Sequence, residues 1–231
     1  MRFNSDQIQK IGKEISSKVD GKTLFDEFSR GRYSTDASVY QIKPLGVVLP
    51  KDTNDVLSLM EYSQKNSVPL LARGGGSSQC GQTVGESVVL DYSKHQNKIL
   101  ELNVEEKYVW VQPGVVLDHL NAYLKPHGLW FPVDVSTSSR ATIGGMSANN
   151  SCGSRSLYYG NMVHNVLAIE AILDDGSIFN FDQINKNYLA TKNNQDRLYK
   201  IIDKFIDVRQ QVGSEIDANW PTTQRRVGGY N

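Results

Sequence analysis

The chain has 231 residues, and its 25 Lys and Arg balance 25 Asp and Glu, so the formal charge at pH 7 is zero. That balance argues against a nucleic-acid binder, which carries a basic excess, while leaving room for a local basic pocket. Hydrophobic residues make up 39% and no run approaches the ~18 apolar residues of a membrane span; two cysteines, Cys80 and Cys152, are too few for a disulfide scaffold, a zinc ribbon or a cysteine-ligated iron–sulfur cluster.

A chain of this length buries roughly 70–75% of its unfolded surface and fits one large domain or two small ones. Met1-Arg2-Phe3-Asn4 opens no apolar run, so no signal peptide is expected and the cytoplasm is the default compartment. Ile8, Ile11, Ile15 and Val19 then share one face of a helix. Asn4 with Gln7 makes a capping box at its start, and Gly21 is expected to close it. This first segment reads as a docking helix laid over a sheet.

From Gly46 the pattern changes. Gly46-Val47-Val48-Leu49 is a short strand stopped by Pro50, and Asp52 or Thr53 caps a helix with Val56, Leu59 and Met60 on one face. Leu70-Leu71-Ala72 and Val88-Val89-Leu90 are further strands, so a parallel strand–helix–strand unit covered on both faces is expected. A second region starts near Ile99. It holds a strand at Tyr108–Val111, a helix around Leu117, Leu120 and Leu124, and a short helix from Thr142. Val166–Leu173 reads as a long strand that turns at Asp175-Gly176 and returns along Ile178–Phe181. Leu198, Ile201, Ile202, Phe205 and Val208 mark a late amphipathic helix.

Two small-residue segments carry the chemistry. Arg73-Gly74-Gly75-Gly76-Ser77-Ser78 leaves a strand. Three glycines cost backbone entropy and contribute no packing, but they let successive N–H groups close around an anion. Ser77 and Ser78 add hydroxyl donors, and Arg73 adds a nearby charge. An ordinary flexible loop has the same appearance, and the residues alone leave both readings open. The second segment, Thr142 to Gly153, offers Thr142 as cap of a helix whose first turn is Gly144-Gly145, with free N–H groups toward an anion. Tight helix–sheet packing is the other reading there. Ahead of it Phe131-Pro132-Val133-Asp134-Val135-Ser136-Thr137-Ser138-Ser139-Arg140 is a polar loop. Familiar fingerprints fail: a G-x-G-x-x-G beginning at Gly74 meets Gln79 where Gly is required, and no G-x-x-x-x-G-K-[ST] occurs.

Taken in order, these stretches resemble the FAD-binding domain of the vanillyl-alcohol oxidase and para-cresol methylhydroxylase flavoproteins, in particular the bacterial D-lactate and glycolate dehydrogenase branch. The series runs through Tyr33–Ser38 with Tyr40, Arg73–Ser78, Val89-Leu90-Asp91 and Val111-Gln112-Pro113-Gly114-Val115. Pro132–Ser138, Thr142–Gly153, Tyr159-Gly160 and Asp175-Gly176 continue it, so the resemblance covers about 30 to 181. It implies a two-lobed α+β flavin domain. Residues 1–40 form a helical segment, 41–97 a small lobe with parallel strands, and 98–231 a larger lobe with a mixed or antiparallel sheet. FAD lies extended between the lobes, bound non-covalently, because the first loop ends in Ser77 and Ser78 where some members carry a linking histidine. Arg73, Gly74, Gly75, Gly76, Ser77 and Ser78 are implied at the pyrophosphate. Pro132, Asp134, Thr137, Ser138, Thr142, Gly144 and Gly145 are implied along the flavin and ribitol, with Ala148, Asn149 and Gly153 close by.

The resemblance implies hydride transfer from a 2-hydroxy acid such as D-lactate or glycolate to flavin N5, with no metal on this chain. Arg226–Asn231 resembles the family's R-x-x-G-Y-N, after which relatives continue to G-S-E-G-T-L and a substrate domain. The chain is therefore expected to be the front part of a longer enzyme or one product of a split gene. A flavin-binding subunit without catalysis of its own is the alternative. A cell-wall enolpyruvyl reductase fits the Tyr33–Ser38 and Asn149–Gly153 stretches less well. Expected partners are a small-molecule substrate bound with the C-terminal domain, and an electron acceptor or the membrane surface. Cys152 reads as a packing residue, and His95, His119, His127 and His164 lack ligand spacing; His164 stands where relatives commonly carry Asp.

Overall fold

The structure is a computed structural model that describes residues 3–182 and 197–223; the Arg226–Asn231 motif lies outside them. Helix α1 (Ser5–Ser16) starts at the expected capping box. Asn4 Oδ1 accepts the Gln7 N–H at 2.9 Å, and Gln7 Oε1 accepts the Asn4 N–H at 2.8 Å. The helix stops at Ser16 rather than at Gly21, because the Ser17 N–H already closes it on the Lys13 and Ile15 carbonyls. Gly21 has another use. Its N–H donates to Asp55 Oδ2 at 2.9 Å, and a Cβ there would run into the Leu49 carbonyl. Val19 lies past the helix but still packs on the core.

Strand β1 (Lys22–Leu24) is too short to show in the sequence pattern. It pairs antiparallel with β2 (Gly46–Leu49). Helix α2 (Glu27–Arg32) lies between them in the chain, and α3 (Thr53–Asn66) follows, capped by Asp52. Strands β3 (Leu70–Arg73) and β4 (Val88–Asp91) complete a sheet of order β1-β2-β4-β3. β2, β4 and β3 are parallel as expected, with Val47 opposite Val89 and Leu71 opposite Val89. All four residues of β2 and of β4 are buried, the pattern of a parallel sheet covered on both faces. Alternation divides them: Val48, Val88 and Leu90 meet Ile8, Ile11, Ile15, Leu59 and Tyr62 on one face. Val47, Leu49 and Val89 meet Leu24, Tyr33 and Leu71 on the other. The first 40 residues thus share the core of this lobe.

Beyond it, β5 (Ile99–Asn103) and β6 (Tyr108–Val111) form an antiparallel ribbon that packs on α4 (Leu117–Leu124) through Val115, Leu120 and Leu124. A second core joins Leu117, Val133, Ala141, Met146 and Met162. It gathers the short helices α5 (Ile143–Ala148) and α7 (Met162–Asn165), with α6 (Ser156–Tyr159) between them in the chain. The expected long strand from Val166 begins only at β7 (Ile169–Ile172), because the Val166 N–H closes α7 on the Met162 carbonyl. β7 pairs antiparallel with β8 (Ile178–Phe181), across a turn where Gly176 has φ +82°. Among the described residues this lobe holds two separate antiparallel ribbons rather than one sheet. Helix α8 (Arg197–Asn219) buries Leu198 and Ile202, while Phe205 is 73% exposed.

Candidate functional site: two facing loops

The 74–78 loop leaves the C-terminal end of β3 and lies directly on the segment before α5. A Cβ on Gly74 would collide with Thr142 Oγ1, and one on Gly75 with the Arg140 carbonyl. Both glycines are therefore demanded by close approach between segments almost 70 residues apart in the chain. Gly76 turns the backbone with φ +64°. Among the described residues, no protein group accepts from the N–H groups of Gly74, Gly75, Gly76, Ser77 or Ser78. Five consecutive unspent amides around a positive-φ glycine make an anion-binding concavity.

The two serines differ. Ser77 spends its hydroxyl on no protein group among the described residues. Ser78 Oγ donates to Gln82 Oε1 and accepts the Cys80 N–H at 3.2 Å. A hydroxyl has one proton, so Ser78 has none left for a ligand, which corrects its expected role as a direct hydroxyl donor.

Arg73 also departs from expectation. Its guanidinium donates to the carbonyls of Thr35 at 2.9 Å, Thr83 at 3.0 Å and Tyr33 at 3.4 Å. It sits 5.2 Å from the Tyr33 ring centroid. Burial pulls its pKa below the ordinary guanidinium value, against the neighbouring Asp91 and Asp36. Arg73 ties the Tyr33–Ser38 stretch to Thr83 and presents its charge beneath Gly76. Tyr33 donates to Asp91 Oδ2 at 2.6 Å. Burial first, and the Asp91 carboxylate second, raise the Tyr33 phenol well above its ordinary value. Thr83 Oγ1 donates to Asp36 Oδ2 at 3.1 Å, closing the same lattice.

In the second segment Thr142 caps α5 as expected, accepting the Gly145 N–H at 3.4 Å. The free first-turn amides expected there are absent. The Ile143 N–H donates to the Val115 carbonyl at 2.8 Å, and the Gly144 N–H to the Pro113 carbonyl at 2.9 Å. The V-x-P-G-V stretch has taken the donors an anion would need. A Cβ on Gly144 would stand 2.5 Å from Pro113 Cβ, so that glycine serves packing.

Pro132 is half-buried and leads into Val133, which is fully buried. Thr137 and Ser138 form a tight turn. The Thr137 carbonyl accepts from Arg140 and Ala141, each at 2.8 Å, and the Ser138 carbonyl accepts from Asp118 at 3.2 Å. Asp134 accepts from Ser154 Oγ at 2.6 Å and from the Arg155 N–H at 3.0 Å. Burial acts to raise its pKa, but these bonds outweigh that and hold it below the ordinary aspartate value. A Cβ on Gly153 would collide with Asp134, so the pair is a backbone-to-carboxylate fit. Ala148 is exposed at the end of α5. Asn149 caps that end and accepts Gln82 Nε2 at 2.9 Å. His164 Nδ1 accepts the Asn161 N–H at 3.0 Å, closing the capping box of α7. Cys80 and Cys152 are unpaired. Gln82 went unnoticed in the sequence, since nothing local marks a side chain that reaches across 67 residues.

A family model described as an FAD binding domain matches residues 44–182. The chain belongs to the FAD-binding domain family. Its match spans both loops and the strands that carry them. This FAD-binding domain is 42% identical over 155 residues to D-2-hydroxyglutarate dehydrogenase of Haemophilus influenzae, covering 66% of this chain and 15% of that protein. It is 37% identical over 218 residues to the Escherichia coli protein of the same name, covering 91% and 21%. Glycolate oxidase subunit GlcD of Bacillus subtilis is 37% identical over 176 residues, covering 74% and 37%. The chain therefore spans between about a seventh and somewhat over a third of these relatives' own lengths. Among solved structures, wild-type Physcomitrella patens BBE-like 1 superposes with TM-score 0.65 at 20% identity, covering 81% of this chain and 39% of that one. The 6-hydroxy-D-nicotine oxidase of Arthrobacter nicotinovorans gives 0.63 at 16%, covering 71% and 36%. The fold is that of the vanillyl-alcohol oxidase and para-cresol methylhydroxylase flavoproteins.

Proposed function

We propose that this chain is the FAD-holding part of a dehydrogenase that oxidises a 2-hydroxy acid of the D-lactate, glycolate or D-2-hydroxyglutarate class. The observation that carries the reading is the row of five unspent amides at 74–78, packed against Arg140 and Thr142. That cradle fits the pyrophosphate of FAD. It has no carboxylate of its own, the Ser77 hydroxyl faces no competitor among the described residues, and the Arg73 charge lies beneath. Each hydrogen bond to a charged phosphate contributes about 1.5–3 kcal/mol, enough in concert to bind without net charge on the protein.

On this reading residues 41–97 form the smaller lobe together with the first 40, which supply a strand and part of its core, and 98–231 form the larger one. Gly74, Gly75, Gly76, Ser77 and the Ser78 N–H hold the pyrophosphate. Arg73 and the Ser78 side chain position that loop. Pro132, Asp134, Thr137, Ser138, Thr142, Gly144 and Gly145 shape the wall along the ribitol and flavin, with Ala148, Asn149 and Gly153 beside it. When bound, FAD supplies the hydride acceptor for oxidation of the alcohol carbon. The chain's own work is to bind, orient and shield. The acid/base groups and the substrate pocket belong to the further parts of a longer or multi-subunit enzyme, in keeping with the named relatives' greater length. Unpaired Cys80 and Cys152 agree with a reducing cytoplasmic setting. No helix among the described residues is long and apolar enough to cross a membrane; contact with a membrane surface or an electron acceptor is left to the assembled enzyme.

The test is a visible spectrum of the purified chain mixed with FAD and then desalted. A retained flavin band is expected, and its absence would overturn the FAD site. In the assembled enzyme, D-2-hydroxy acids are expected to bleach the band. A panel that leaves it unchanged would overturn the substrate class.

A further inference from the structure

Gln82 joins the two segments from which the proposed FAD site is built. Its Oε1 accepts the Ser78 hydroxyl, and its Nε2 donates to Asn149 Oδ1 at 2.9 Å. Asn149 Nδ2 in turn donates to Ser151 Oγ at 3.3 Å. Each hydroxyl or amide in this series gives its proton to the next, from Ser78 through Gln82 and Asn149 to Ser151. One end is anchored in the glycine loop, where Ser78 Oγ also takes the Cys80 N–H. Toward the other end, Asn149 is the residue that caps α5. Gln82 is only partly buried, and neither of its partners is a charged group, so the bonds are ordinary neutral ones.

We propose that Gln82 is a positioning residue that couples the diphosphate end of the FAD site to its flavin end. It fixes the 74–78 loop and the end of α5 relative to each other before ligand arrives, so a ligand that spans both does not have to order their mutual placement. A link of this kind is a coupling free energy between two subsites: a ligand that occupies both gains from it, and one that occupies a single subsite does not. The inference rests on the FAD reading.

The experiment compares FAD with ADP, which presents the diphosphate without the flavin, on the full chain. Gln82→Met removes both hydrogen bonds at nearly constant volume. It is expected to weaken FAD about tenfold and ADP no more than about twofold. Gln82→Asn, one methylene too short to reach both partners, is expected to show the same FAD-selective loss should the methionine variant fold poorly. In the ligand-free chain, Gln82→Met is expected to speed hydrogen exchange at 147–151 and leave Val88–Asp91 unchanged. Equal weakening of FAD and ADP, or no change in either, overturns the coupling. A wild-type chain that takes up no FAD overturns the FAD reading and this assignment with it. A wild-type chain that binds FAD, beside an indifferent Gln82→Met, overturns the assignment alone.

Discussion

Gly74 and Thr142 are in such close contact that the glycine has no room for a Cβ beside the threonine hydroxyl. Thr142 is only 2% exposed and cannot swing away. Gly74→Ala is therefore expected to cost about 1–3 kcal/mol through overpacking. Adding Thr142→Ala removes the colliding oxygen, so the double variant is expected to be more stable than the two separate losses would sum to. Urea midpoints of the two single variants and the double one check this. Simple additivity would mean the two residues do not meet.

Arg73 acts on the protein's own carbonyls. Arg73→Lys keeps the charge but not the fork that reaches Tyr33, Thr35 and Thr83. The expected loss is about 2–3 kcal/mol of folding stability, because carbonyls built to face a guanidinium lose their donors. Chemical denaturation measures it. A lysine variant as stable as the parent, with only its ADP affinity reduced, would restore Arg73 to the direct anion contact that the sequence suggested.

The two serines of the loop separate in the same way. Ser77→Ala is expected to weaken ADP about ten- to a hundredfold, the loss of one hydrogen bond to a charged group. Ser78→Ala is expected to change ADP affinity by less than about threefold, since its proton already belongs to Gln82. Titration of each variant with ADP decides between them, and the reverse order would contradict the hydrogen-bond pattern.

Asp134 carries a pH signature. Its folded-state pKa lies below the unfolded value, because the Ser154 and Arg155 hydrogen bonds outweigh the opposing effect of burial. A depressed carboxylate contributes stability that is present above the unfolded pKa of about 3.9 and is lost as pH falls through the folded value. Asp134→Asn is expected to be less stable near neutrality and to show a shallower loss of stability on acidification below about pH 4. Thermal midpoints across that range test the difference. Parallel curves for the two proteins would remove Asp134 from the acid response.

Much of the scaffold was legible residue by residue. The capping box of Asn4 and Gln7 is a local signal and formed where expected. So did the buried valine runs of β2 and β4, because a strand covered on both faces must be apolar along its whole length. Local signals misled where another contact outweighed them, a distant one at Gly21 and one four residues back at Val166. Gly21 reads as a helix stop but serves β2 and Asp55, and Val166 reads as strand but closes α7. Phe205 continues the apolar stripe of α8, yet it remains exposed.

The candidate site divides along the same line. The sequence by itself determined that two glycine- and hydroxyl-rich loops exist, because glycine runs after strands are local features of the chain, and it was the ordered resemblance to a known family that assigned them to an FAD-binding domain. Only the tertiary structure decided which donors are available. Pro113 and Val115 take the amides of α5, Gln82 takes the Ser78 proton, and three carbonyls take Arg73. A hydrogen-bond donor can be spent once, and these competitors lie between four and 40 residues away in the chain, most of them at separations where spacing carries no signal until the backbone has folded.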